Sequence, residues 1–131
     1  MKVDRIFETV LYAEDLPPVK SFYEDVMGLI LIEESSLFLV FRLPESFLLI
    51  FNPMESLEKD RGIPHHGTAG EGHIAFAASP SSIPKWKDHF EKLGVELETE
   101  VQWKAGSHSL YFRDPAGNSV ELAPPSLWAG I

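Results

Sequence analysis

Apolar residues recur along this chain with two different periods, and the changes of period divide it into a repeated series of elements. In residues 6–12, Ile6, Glu8, Val10 and Tyr12 share one side of an alternating pattern and Phe7, Thr9 and Leu11 the other, which predicts a strand. Beyond Asp15, a candidate N-cap, Pro17 and Pro18 sit in a first turn; Val19, Phe22, Tyr23 and Val26 then recur at helical spacing until Gly28 stops the run. Residues 29–34, 37–43 and 47–52 return to strand-like composition. The same grammar then begins again. A strand starts at His73, and a helix follows with Ser82 as candidate cap, Pro84 in its first turn, Trp86, Phe90 and Leu93 on one stripe, and Gly94 at its end. Strands are predicted over residues 95–103, 107–113 and 119–123.

Each half therefore reads strand, helix, three strands. The likeness extends to Phe41-Arg42-Leu43-Pro44 in the first half and Phe112-Arg113-Asp114-Pro115 in the second. Asp114-Pro115-Ala116-Gly117-Asn118 predicts a hairpin turn: Pro115 presets it, while Gly117 and Asn118 tolerate positive φ. That turn sets the register of Glu121. The aromatic stripes of the two helices read as core.

Three ionisable residues interrupt otherwise apolar strands: Glu8 among Ile6, Val10 and Tyr12, His73 beside Ala75 and Ala77, and Glu121 between Val120 and Leu122. A carboxylate in apolar surroundings must stay wet, be protonated, pair, or bind a cation. Singly, each has a plain reading as a solvated strand residue. Together, on strands remote from one another and in a duplicated chain, they have the form of a metal clamp.

The remaining polar candidates are less constrained. His65 and His66 lie in residues 53–72, whose Pro and Gly content predicts a connecting loop; a histidine there is either simply solvated or an acid or base beside the site. His108 and Tyr111 belong to one strand but to opposite faces. His89 reads as a surface residue among Lys87, Asp88 and Glu91. Trp103, ahead of Lys104-Ala105-Gly106, and Trp128 in the Pro-rich tail have two readings, pocket wall or subunit contact.

Composition narrows the class. A length of 131 residues with 44% hydrophobic content suits one domain with a real core. No run approaches the roughly 20 apolar residues of a membrane span, and Lys2, Asp4 and Arg5 precede any apolar stretch, so neither membrane insertion nor a signal peptide is expected. The absence of cysteine excludes disulfides and thiolate ligands and fits a cytoplasmic location. A net charge of -9 opposes binding to a phosphate backbone, so nucleic acid is not an expected partner.

The order of elements, with Leu11-Tyr12-Ala13-Glu14-Asp15-Leu16, Phe22-Tyr23-Glu24-Asp25-Val26-Met27-Gly28-Leu29, Gly72-His73-Ile74-Ala75-Phe76 and the segment from Tyr111 through Leu122, resembles the vicinal oxygen chelate superfamily, the glyoxalase, bleomycin-resistance and extradiol-dioxygenase group. The resemblance spans nearly the whole chain. It implies an α+β fold of two βαβββ modules forming a curved eight-stranded mixed sheet. The first module covers about residues 3–52, a connecting loop 53–72, the second module 73–124, and a tail 125–131. The implied ligands are Glu8, His73 and Glu121 for a divalent ion, Fe(II), Mn(II), Co(II), Ni(II) or Zn(II), whose open positions receive a small substrate chelating through vicinal oxygens. Tyr111 matches a tyrosine of several relatives and becomes a candidate donor to a metal-bound oxyanion; Glu8 or Glu121 becomes a candidate proton relay.

Within that superfamily, relatives of the glyoxalase type add a fourth ligand from the last strand of the first module. Residues 47–51 here are Phe-Leu-Leu-Ile-Phe, which disfavours a strict lactoylglutathione lyase. Residues 122–131 carry no basic side chain for a phosphonate, which weakens a fosfomycin-inactivating role, and glutamate at position 8 departs from the two-histidine triad of ring-cleaving dioxygenases. The resemblance also implies a homodimer. Two functions of different class follow: a metalloenzyme of lyase, isomerase or dioxygenase type, and a metal-free module that sequesters an antibiotic.

Overall fold

A computed structural model describes residues 1–103 and 106–128; Lys104 and Ala105 of the predicted loop and residues 129–131 of the predicted tail lie outside the described residues. The chain divides into two compact units, Met1–Gly70 and Glu71–Ile131, of the same topology. In the first, β1 (Glu8–Tyr12), α1 (Leu16–Ser21), β2 (Ile30–Glu34), β3 (Phe38–Leu43) and β4 (Ser46–Phe51) are followed by a short α2 (Pro53–Ser56). In the second, β5 (His73–Ala77), α3 (Ile83–Leu93), β6 (Thr99–Gln102), β7 (His108–Arg113) and β8 (Ser119–Ala123) repeat the order. The eight predicted strands and both long helices are present, in two four-stranded mixed sheets.

Strand order is β1-β4-β3-β2 in one sheet and β5-β8-β7-β6 in the other. The first and last strands of each unit run parallel, because the helix between the first and second strands carries the chain across; the remaining pairs are antiparallel. Alternation then decides which side chains meet the helix. In the first unit Leu11, Leu39, Phe41, Leu48 and Ile50 are buried on one face, and the Phe41 ring lies 5.7 Å from that of Tyr23. In the second, Leu110, Phe112, Val120 and Leu122 form the buried face, and Phe112 meets Phe90 of α3 at 4.6 Å. Each such side chain contributes about 1.5–3 kcal/mol by leaving water.

Local details depart from the sequence-based expectations in four places. Asp15 occupies the N-cap position with extended backbone, yet its side chain makes no capping hydrogen bond, since two prolines leave the first turn few N–H groups to satisfy. Beyond Ser21 the helix widens into a π-turn over Phe22–Val26 before Gly28, at φ 68°, ends it. Ser82 likewise caps nothing in α3: a 3-10 turn, Pro80–Ser82, precedes the helix, and the Ser82 hydroxyl donates back to the Ser79 carbonyl at 2.7 Å. Finally, residues 95–98 fall outside β6, joined to β7 by the Glu98 amide donating to the Tyr111 carbonyl at 2.7 Å.

The turn before β8 works differently from its prediction as well. Gly117 has the expected positive φ of 86°, but Asn118 acts through its side chain. The Asp114 carboxylate accepts from the Ala116 and Asn118 amides, each at 2.9 Å, and from Asn118 Nδ2 at 3.0 Å, while Asn118 Oδ1 accepts from the Gly72 amide at 2.8 Å. That last bond ties the start of β5 to the start of β8. It holds the register that places Ala75 opposite Glu121.

Candidate functional site

Away from α3, the open face of the second sheet carries Ser109 and Tyr111 of β7, Ser119 and Glu121 of β8, and His73, Ala75 and Ala77 of β5, all brought to one side by strand parity and register. Glu121 is only 5% exposed, and among the described residues the other buried carboxylate, Asp114, belongs to the turn. A buried carboxylate has to be paired on both oxygens. Oε2 accepts a hydrogen bond of 2.7 Å from the hydroxyl of the fully buried Ser109, and Ser109 Oγ in turn accepts from Trp103 Nε1 at 2.8 Å. Oε1 faces His73 Nε2 at 3.3 Å.

The His73 ring is set from its other side. Nδ1 lies 3.1 Å from both the carbonyl oxygen and the hydroxyl of Ser119. A carbonyl only accepts, so Nδ1 carries a proton, and Nε2 is the nitrogen turned to Glu121 Oε1. Oε1 of the buried Glu121 carboxylate calls for positive charge on this side: a ring proton on Nε2 or a cation. An imidazole nitrogen and a carboxylate oxygen oriented by partners on their far sides are a donor set suited to a borderline divalent metal, so the pair fits the implied ion.

Tyr111 stands directly opposite Glu121 in register, its ring stacked at 19° over His73 with centroids 6.4 Å apart. Its phenol is pushed above the usual range by burial first, then by the charge of Glu121 and a hydrogen bond to it, with a bond to Ser109 acting in the opposite direction. It therefore stays a neutral donor near neutral pH. Ala75 stands opposite Glu121 in register, and Ala77 shares the same face, both with small side chains.

Glu8 opens β1 in the other unit, exposed and opposite Phe47. The open face it shares carries Val10, Tyr12, Leu49 and Phe51, with no ligating side chain on β4. Among the described residues no group of three or more His, Asp or Glu side chains is gathered so as to hold a metal ion. The structure thus brings His73 and Glu121 together and leaves Glu8 on the first sheet.

The other sequence candidates separate clearly. His66 Nδ1 lies 2.6 Å from Tyr12 Oη, and its ring meets Phe51 edge-on at 5.2 Å, so this loop histidine is docked on the first sheet rather than solvated; His65 is exposed. Burial raises the Tyr12 pKa, so the phenol keeps its proton in this contact. His108 is on the helix side of β7, opposite to Tyr111 as expected, with Nδ1 2.9 Å from Glu100, whose carboxylate also meets Lys87 at 2.7 Å. His89, expected at the surface, is half-buried against Trp86 with ring centroids 5.8 Å apart. Trp128 is 72% exposed. Ser109 escaped sequence reasoning, although the alternation of β7 already places it on the face of Tyr111.

The family model for the Glyoxalase/Bleomycin resistance protein/Dioxygenase superfamily matches residues 5–122. Among solved structures, lactoylglutathione lyase from Agrobacterium tumefaciens is 39% identical, with a TM-score of 0.92 over 98% of each chain. The virulence protein STM3117 from Salmonella typhimurium is 23% identical (TM-score 0.73, covering 95% of this chain and 98% of that one). The fosfomycin resistance protein FosX from Listeria monocytogenes is 22% identical (TM-score 0.71, covering 96% and 97%). These last two share the fold alone. Among curated proteins none matches. With the family model covering most of its length and a 39% identical relative spanning nearly all of it, the chain belongs to the Glyoxalase/Bleomycin resistance protein/Dioxygenase superfamily.

Proposed function

We propose that this chain is a divalent-metal-dependent enzyme acting on a small oxygenated substrate that chelates the metal through vicinal oxygens, with Glu8, His73 and Glu121 as ligands. The observation that supports it most is His73 Nε2 facing the buried Glu121 carboxylate at 3.3 Å. Fe(II), Mn(II), Co(II), Ni(II) and Zn(II) all suit one imidazole and two carboxylates, and members of the superfamily commonly use divalent metals. Such an ion, when bound, supplies Lewis acidity and a template for the substrate. The chain supplies the rest. Neutral Tyr111 donates a hydrogen bond to a substrate oxygen as negative charge develops on it. Glu8 or Glu121 accepts and returns a proton. Ala75 and Ala77 leave room for the substrate. The Agrobacterium relative is called a lactoylglutathione lyase; in this chain β4 offers Phe47, Leu49 and Phe51 on the face of Glu8, so the reading stays with three protein ligands and an unassigned lyase, isomerase or dioxygenase reaction.

Proteins of the superfamily are typically small-molecule-binding dimers, and we read this one as a cytoplasmic homodimer. No described helix is long and apolar enough to cross a membrane. The test is metal content after purification without chelators or affinity tags, followed by addition of each ion. The reading expects about one ion per chain, lost in His73→Ala with circular dichroism unchanged. Retention of metal by His73→Ala overturns the ligand assignment. A second reading, metal-free sequestration of an aromatic or cationic antibiotic, is supported by the aromatic open face of the first sheet and the charge of -9. Fewer than about 0.2 ion per chain for every metal added favours it.

A further inference from the structure

Trp103 and Ser109 have no place among the ligands, yet they are joined to one. Ser109 is fully buried on an interior strand of the second sheet, in register with Val101 of β6 and on the same face as Tyr111 and Glu121. A hydroxyl there costs stability unless both its hydrogen and its lone pairs are used. They are: Trp103 Nε1 donates to Oγ at 2.8 Å, and Oγ donates to Glu121 Oε2 at 2.7 Å. An indole N–H only donates, so the direction of the whole chain is set by the tryptophan. Trp103 is itself anchored, its amide donating to the Ser107 carbonyl at 2.7 Å across the β6–β7 connection.

We propose that Trp103 and Ser109 are positioning residues: this one-way chain occupies Oε2 of Glu121 and thereby presents Oε1, the oxygen beside His73 Nε2, as the free ligand atom for the divalent ion. The inference rests on the metal reading given above and deepens it. Without Ser109 the carboxylate keeps only its contacts to His73 and Tyr111, and its last torsion is less firmly set, so an ion has to freeze more motion on binding. Outer partners of metal ligands commonly change affinity by about 10–100-fold through this effect.

The experiment is a Co(II) titration followed by visible absorbance, on the parent chain, Ser109→Ala and Trp103→Phe, alongside thermal unfolding of each protein without metal. Co(II) is the probe because its absorbance reports coordination directly, independent of any turnover. The expected result is a dissociation constant raised about 10-fold in Ser109→Ala and about threefold in Trp103→Phe, with an altered Co(II) band shape in the former. A merely structural role lowers the unfolding midpoint and leaves affinity and band shape as they are. Trp103→Phe sits at the half-exposed end of the chain and keeps the test decisive where Ser109→Ala fails to fold. Parent-like Co(II) affinity and spectrum in the folded variants overturn the proposal while the metal reading stands. A parent chain that binds no Co(II), Zn(II), Mn(II), Ni(II) or Fe(II) overturns both.

Discussion

In the first unit the sheet face away from the helix carries Phe38, Val40, Phe47, Leu49 and Phe51, with Phe38 and Phe51 at 6.0 Å; in the second the same face carries Ser109, Tyr111, Ser119 and Glu121. The helix-side faces of the two units are alike, Leu and Phe with an Ile in the first and a Val in the second, each under an aromatic residue from the helix. The lesson is that packing constrains one side of each sheet and leaves the other to carry chemistry. Where the open face is mainly apolar, most of its residues need no partner, Tyr12 with His66 being an exception. Where it holds a buried acid, a full set of neighbours is recruited: Ser109 on one oxygen, His73 on the other, Trp103 and Ser119 behind them. The β-turns between the last two strands differ in the same way. The first unit turns at Pro44 and Glu45, the latter at φ 62°, whereas the second uses the Asp114–Asn118 hydrogen-bond cluster.

The largest effect that sharpens this comparison concerns the two faces. Phe112→Ala, on the helix side, is expected to lower stability by about 3–5 kcal/mol in urea unfolding, while Phe47→Ala on the open face of the first sheet costs no more than about half as much. Equal losses would show that both faces are packed alike. Next come the turns. Asp114→Ala leaves two amides and the Asn118 side chain without their acceptor and is expected to cost about 2–3 kcal/mol, whereas Glu45→Gly relieves a left-handed backbone and raises stability by up to about 1 kcal/mol. A smaller effect separates the histidines. His66→Ala, which loses its bond to Tyr12, should lower stability by about 1 kcal/mol and leave Co(II) affinity unchanged; a weakened affinity would bring His66 into the metal site.

The smallest effect is electrostatic and lies on the helix side of the second sheet. Glu100 is held below its ordinary value of 4.5 by the hydrogen bond from Lys87 first, with His108 adding to it. A carboxyl lowered on folding stabilises the protein above its unfolded pKa and loses that contribution as pH falls through the folded value. The parent should therefore lose slightly more stability than Glu100→Gln below about pH 4.5, measured as the urea midpoint against pH.

Periodicity alone determined a great deal here. Alternation in residues 6–12 and 119–123, helical spacing from Val19 to Val26, and the glycines after each helix are local signals, readable because backbone geometry repeats over a few residues. They were enough to lay out both βαβββ units, to place Glu8, His73 and Glu121 on strands, and to separate His108 from Tyr111. Asp15 and Ser82 stand at the N-cap positions the pattern predicts but make no side-chain cap, because prolines in the first turn leave few N–H groups to serve. What tertiary structure alone decided is which atoms meet. His73 and Glu121 are 48 positions apart, and their contact, the Ser109 bond to one particular carboxylate oxygen, and the docking of His66 on Tyr12 all depend on strand register and side-chain direction across elements distant in the chain. A residue pattern specifies the face on which a side chain lies; only neighbouring strands, held at about 4.8 Å by their ladder of hydrogen bonds, specify its partner.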